Sequence, residues 1–209
     1  VTTATIRYEA GMQRTSAVLI ATAALAALLA GCGDDQAQSP PPSPTSAPAG
    51  GFTAKAGGTL APFTPGAKAV GYIPGLAPAQ ASGEATMTAS ATGVVTDLSV
   101  TGLLPNRQYG AHAHVKPCGA KGDDAGPHFQ FKADPVTPSV DPAYANPRNE
   151  IWLDFGTDAS GKATVKSTVD WQLTDRRPGS IVIHETHTHT EVGKAGTAGG
   201  RVACLTLTS

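Results

Sequence analysis

The chain has 209 residues and a formal net charge of −1, with 15 basic against 16 acidic side chains. A balance so close to neutral gives no electrostatic case for nucleic acid as a partner. Gly (24) and Pro (17) are abundant while charged residues make up only 15%, which suits a turn-rich β protein or a folded domain joined to a flexible tail.

Residues 1–31 read as a signal peptide region. Arg14 gives a short basic start, an apolar run follows, and small residues lead to Cys32. The run is barely long enough to span a bilayer and ends without a basic stop, which favours a cleaved signal over an uncleaved anchor. Leu29-Ala30-Gly31-Cys32 resembles the bacterial lipobox, in which the cysteine is lipidated and the preceding peptide is removed. The stretch before Met12 looks unlike a signal, and Met12 is the alternative start.

Residues 32–51 are rich in Pro, Ser and Ala, with almost no apolar side chains to bury, and predict an extended tether between lipid and domain. The folded domain is expected over 52–209. The protein is thus expected to be exported and lipid-anchored on the extracytoplasmic face of the cell membrane. Three cysteines is an odd number. With Cys32 given to lipid, Cys118 and Cys204 remain, and in an oxidising compartment a disulfide between them is the default. Closing so long a loop stabilises by roughly 4 kcal/mol.

The domain reads as all-β. Alternation runs through 85–89, 94–100, 163–169 and 202–207, with Gly, Pro, Asn and Asp between the runs. Gly102-Leu103-Leu104-Pro105-Asn106 reads as a turn joining two strands. Short strands at this spacing suggest a sandwich or barrel. Residues 129–148 break the pattern: four prolines forbid a regular element, and so long a loop in a compact domain is usually functional.

All six histidines lie between 112 and 189. His112 and His114 sit in a strand-like run, where period-two alternation puts both rings on one face. His128 follows a Gly-Pro turn, His184 ends the apolar run 181–183, and His187 and His189 come just after. A lone histidine is more often a surface or satisfied core residue, but clustering favours a metal site. Three or four imidazoles without thiolate suit copper or zinc.

Tyr109-Gly110-Ala111-His112-Ala113-His114, Cys118, and Ala125-Gly126-Pro127-His128-Phe129 resemble copper/zinc superoxide dismutases. So do Ile181-Val182-Ile183-His184-Glu185 and the run from Gly196 to Cys204, in the same order. The resemblance spans about 52 to the C-terminus and implies a Greek-key antiparallel β-barrel or sandwich. It implies His112, His114 and His184 as copper ligands and His128 as the ligand that bridges copper and zinc. It also implies a Cys118–Cys204 disulfide and Arg201 beside the copper, attracting superoxide.

The chain departs from the family pattern in two places. No histidine lies between His128 and His184, where the family's further zinc ligands occur, so copper without zinc is expected. A carboxylate could instead accept the second N–H of His128, a device copper-only members of the family use; Glu150 is the first candidate and Asp154 the second. Their alternative is an exposed charge or a turn cap. The segment from His184 to Arg201 is also shorter than the family's substrate-guiding loop. It carries His187 and His189, either an accessory copper site or solvated loop residues. The resemblance implies an enzyme that converts superoxide to oxygen and hydrogen peroxide. The competing functions are a copper-binding or copper-buffering lipoprotein on the same scaffold and, more weakly, a surface module without metal function.

Overall fold

The computed structural model describes residues 51–209; the signal region, Cys32 and all but the last residue of the tether fall outside them. Nine strands form two antiparallel sheets. In the first, the order is β1-β3-β4-β7, from β1 (Phe52–Thr59), β3 (Ser82–Ser90), β4 (Gly93–Thr101) and β7 (Ala163–Val169). In the second it is β2-β9-β8-β5-β6, from β2 (Ala69–Gly71), β9 (Arg201–Thr206), β8 (Ser180–His184), β5 (Gln108–His114) and β6 (Phe155–Gly156). The chain crosses to the second sheet and back through β2, passes to it again between β4 and β5, returns between β6 and β7, and crosses once more to β8. These crossings make the sandwich a Greek key of the expected all-β class. A single 3-10 turn, Gly122–Ala125, is the only helical element among the described residues.

The first sheet follows from simple alternation. In β4, Val94, Thr96, Leu98 and Val100 are buried, and the residues between them are half-buried. Ala85 of β3 and Val165 of β7 lie across from Leu98 in register. The tight turn between β3 and β4 depends on Gly93, whose φ is 139°; a Cβ there would lie 2.1 Å from the Val169 carbonyl oxygen.

The second sheet is buried on both sides. Ala111, Ala113, Ile181, Ile183, Ala203 and Leu205 face the shared core with Leu98, Met87, Leu153 and Tyr109. Burying each of the larger of these side chains contributes about 1.5–3 kcal/mol. The opposite face carries His112, His114, Val182, His184 and Cys204, covered by the loops after β5 and β8. Cys118 and Cys204 form a disulfide with 5.7 Å between Cα atoms, tying the loop after β5 to the last strand.

The proline-rich stretch 129–148 has no regular element, as expected, yet it is pinned at its base. The Phe131 N–H donates to the Asn149 carbonyl at 2.9 Å, and the Asn149 side-chain amide donates to the carbonyls of Lys132 and Tyr144. Single bridge pairs continue the pinning: His114 with His128, Gln130 with Glu150, and His112 with Trp152. They lay both ends of the loop against β5.

Candidate metal centre

Four histidines converge on the outer face of the second sheet. His112 and His114 share that face because they are two residues apart in β5. Val182 lies opposite His112, and His184, two residues further along β8, stays on the same face. A register shift between Ile183 and His184 frees the end of β8 from strict pairing with β9. His128 arrives from the loop through its bridge to His114. The ligand nitrogens of the four lie within 4.8 Å of one another, and His114 Nε2 is 3.2 Å from His184 Nε2.

The far nitrogens show how each ring is oriented. His114 Nδ1 donates to the Gly126 carbonyl at 2.9 Å, which leaves Nε2 to face the cluster. His128 Nδ1 lies 2.7 Å from Glu150 Oε2. His112 is turned the other way: Nε2 lies 2.7 Å from Thr188 Oγ1, and Nδ1 is buried with no hydrogen-bond partner. His184 Nδ1 is likewise buried with no hydrogen-bond partner.

Burial holds His112 and His114 well below the usual histidine range, and the neighbouring imidazoles and Arg201 push in the same direction. His184 is lowered to about 3, first by burial and then by His128 and Arg201. These rings are therefore neutral at pH 7, the form that ligates metal. The buried Nδ1 of His112 has no hydrogen-bond partner, which is costly in a protein interior, and a cation at the centre of the cluster removes that cost. Four imidazoles without a thiolate thus fit copper or zinc.

Of the two carboxylates the sequence offered for His128, the structure places Glu150 on it. Glu150 is only 1% exposed and accepts three bonds: from His128 Nδ1, from Trp152 Nε1 at 2.7 Å and from Gln130 Nε2 at 2.8 Å. A buried carboxylate needs such donors. Asp154 lies elsewhere. It accepts from the Ala111 and Thr188 backbone N–H groups and from the Thr188 hydroxyl, and His187 Nδ1 lies 3.1 Å away.

Arg201 opens β9 and is half-buried. Its Nη1 donates to the Gly122 carbonyl at 2.8 Å, and its Nε lies 3.6 Å from Asp123. Gly122 is required for this packing, since a Cβ would come 2.8 Å from the Arg201 Cβ. His187 and His189 do not form a second cluster: His187 faces Asp154 and His189 faces Glu191. Among the described residues the four histidines are the only group with metal-ligand spacing. Sequence reasoning missed Thr188, Gln130 and Trp152. Only the position of Trp152, two residues after Glu150 in an alternating run, hinted that its indole could meet that carboxylate.

The family model for copper/zinc superoxide dismutase matches residues 81–206. The chain belongs to the copper/zinc superoxide dismutase family. Among solved structures, a copper/zinc superoxide dismutase from Brucella abortus is 18% identical with a TM-score of 0.50, covering 75% of this chain and 99% of that one. A mutant of a superoxide-dismutase-like protein from Bacillus subtilis is 19% identical with a TM-score of 0.47, covering 61% of this chain and 90% of that one. A search of curated proteins found no match. In this dismutase-family chain the histidine cluster, the disulfide and strands β3 to β9 lie within the matched span, and β1 and β2 precede it.

Proposed function

We propose that this chain is a superoxide dismutase that works with copper and without zinc, exported and held to the membrane by lipid on Cys32. The observation that carries the copper-only part is the 2.7 Å contact between Glu150 and His128 Nδ1. In a zinc-containing member of the family that nitrogen is the one given to zinc; here a buried carboxylate takes it.

His112 through Nδ1 and His114, His128 and His184 through Nε2 would hold the metal. Copper, when bound, supplies the change of oxidation state by which one superoxide is oxidised to oxygen and a second, with two protons, is reduced to hydrogen peroxide. Glu150 keeps the His128 ring oriented and its Nδ1 protonated, so that Nε2 is the nitrogen left free at the cluster. His128 is the one ring of the four that is not fully buried, which gives it access to water. Arg201 contributes a fixed positive charge near the rings, whose field captures a small anion.

The competing reading, a copper-buffering lipoprotein, draws on Asp123. Its exposed carboxylate lies close to Arg201 Nε and offsets part of the charge that would attract superoxide. A superoxide-consumption assay on the copper-loaded chain separates the two. The dismutase reading expects consumption well above the protein-free rate, and consumption at that rate leaves only the buffer. Anchoring is checked by Cys32→Ala, which should leave the membrane fraction; an unchanged distribution removes the lipoprotein reading.

A further inference from the structure

We propose that Thr188 is a positioning residue for His112: its hydroxyl fixes the tautomer that leaves Nδ1 free for metal. The inference rests on the reading of the four histidines as a metal centre and adds a residue outside the ligand set.

Thr188 is buried, four residues beyond His184, and its hydroxyl has one proton to give. That proton goes to Asp154 Oδ1 at 2.7 Å. Towards His112 Nε2, also at 2.7 Å, the same oxygen can therefore only accept, so Nε2 carries the ring proton. A neutral imidazole has a single N–H, and Nδ1 is left with its lone pair. The opposite tautomer would place an N–H at Nδ1, where no acceptor exists, and would turn the Thr188 proton away from Asp154.

Asp154 is held independently of the hydroxyl. The Ala111 N–H donates to Oδ1 at 3.1 Å and the Thr188 N–H donates to Oδ2 at 2.9 Å. The hydroxyl is thus the one removable link between a fixed carboxylate and the ring. Asp154 does not reach the ring well by itself, since Oδ1 is 3.7 Å from His112 Nε2.

The test is Thr188→Val, which keeps the shape and removes the hydroxyl, with Thr188→Ser as the rescue. Nitrogen-15 NMR of the metal-free full chain reads the His112 tautomer, and competition titration reads the copper Kd. In the wild type, His112 should be Nε2-protonated. In Thr188→Val the tautomers should mix and copper should bind about tenfold more weakly, the usual scale for loss of a group that orients a ligand. Thr188→Ser should restore both.

An Nδ1-protonated His112 in the wild-type chain overturns the proposal without any variant, which covers the case in which Thr188→Val does not fold. An unchanged tautomer and Kd in Thr188→Val, or failure of Thr188→Ser to rescue, overturns it equally. Neither readout uses superoxide. A copper-bound chain that is inert towards superoxide defeats the dismutase reading and leaves the role of Thr188 intact.

Discussion

The two sheets share one core but differ in what covers their outer faces. In β7 of the first sheet exposed and half-buried residues alternate up to Val169, and Lys166 and Asp97 pair in solvent. In the second sheet β8 is buried at every position, and β5 and β9 at all but their first residues. Loops lie over that second outer face, and there the histidines gather. The first sheet shows what alternation alone builds, a half-wet surface. The second shows that a dry polar cluster needs a roof as well as a floor, because neutral imidazoles and a buried carboxylate survive only where loop groups such as Gly126, Thr188 and Glu150 complete their hydrogen bonds.

That contrast can be broken most severely at the roofed face. His112→Ala should abolish stoichiometric copper binding and bring superoxide consumption to background, measured by metal analysis and assay on the same preparation. Copper retained at wild-type stoichiometry would mean that the remaining three rings suffice.

The next largest effect is on acid stability. Burial holds His112, His114 and His184 below the ordinary histidine value, His184 at about 3. Below pH 6.5 the unfolded chain takes up protons that the folded, metal-free chain refuses, so stability falls as pH drops from about 6.5 towards 3. His184 contributes up to about 1.4 kcal/mol per pH unit in that window, and His112 and His114 act in the same direction. The urea midpoint of the metal-free chain should be clearly lower at pH 5 than at pH 7; an unchanged midpoint would show that the rings are not buried neutral.

Arg201→Ala should keep copper and slow superoxide consumption about tenfold, on the scale of electrostatic steering, with Arg201→Lys retaining more. The wild-type rate should fall with added salt more steeply than that of Arg201→Ala. Equal salt dependence would contradict a steering role. At the other extreme, Lys166→Ala removes an exposed ion pair of the first sheet and should cost no more than about 0.5 kcal/mol by urea unfolding, with activity unchanged. A larger loss would mean that the open face carries more of the fold than its exposure implies.

His112, His114 and His184 were legible because period two in β5 and the motif around His184 place these rings without knowledge of the loops, whereas His128 was legible only through the motif it shares with the family. The all-β class was legible for the same reason. The roof was not. Glu150 and Asp154 are four residues apart in one stretch, and only the Gln130–Glu150 bridge decides which of them reaches His128. Thr188 lies in a threonine-rich run with no period to mark it, and its importance comes from Asp154, 34 residues away. The placement of β2 on the edge of β9 was equally hidden, since three residues pair across more than 130 positions of chain. His187 and His189, adjacent to the motif, left open an accessory copper site or solvated loop residues, and each faces a different carboxylate.

The central claim is that Glu150 holds the nitrogen of His128 that zinc would otherwise need. The most direct measurement is elemental analysis of the chain after growth with both metals supplied, for wild type and for Glu150→Gln. The account expects one copper and no stoichiometric zinc in the wild type, and weaker copper retention when the carboxylate is replaced. Equimolar zinc bound beside copper in the wild-type chain would contradict it.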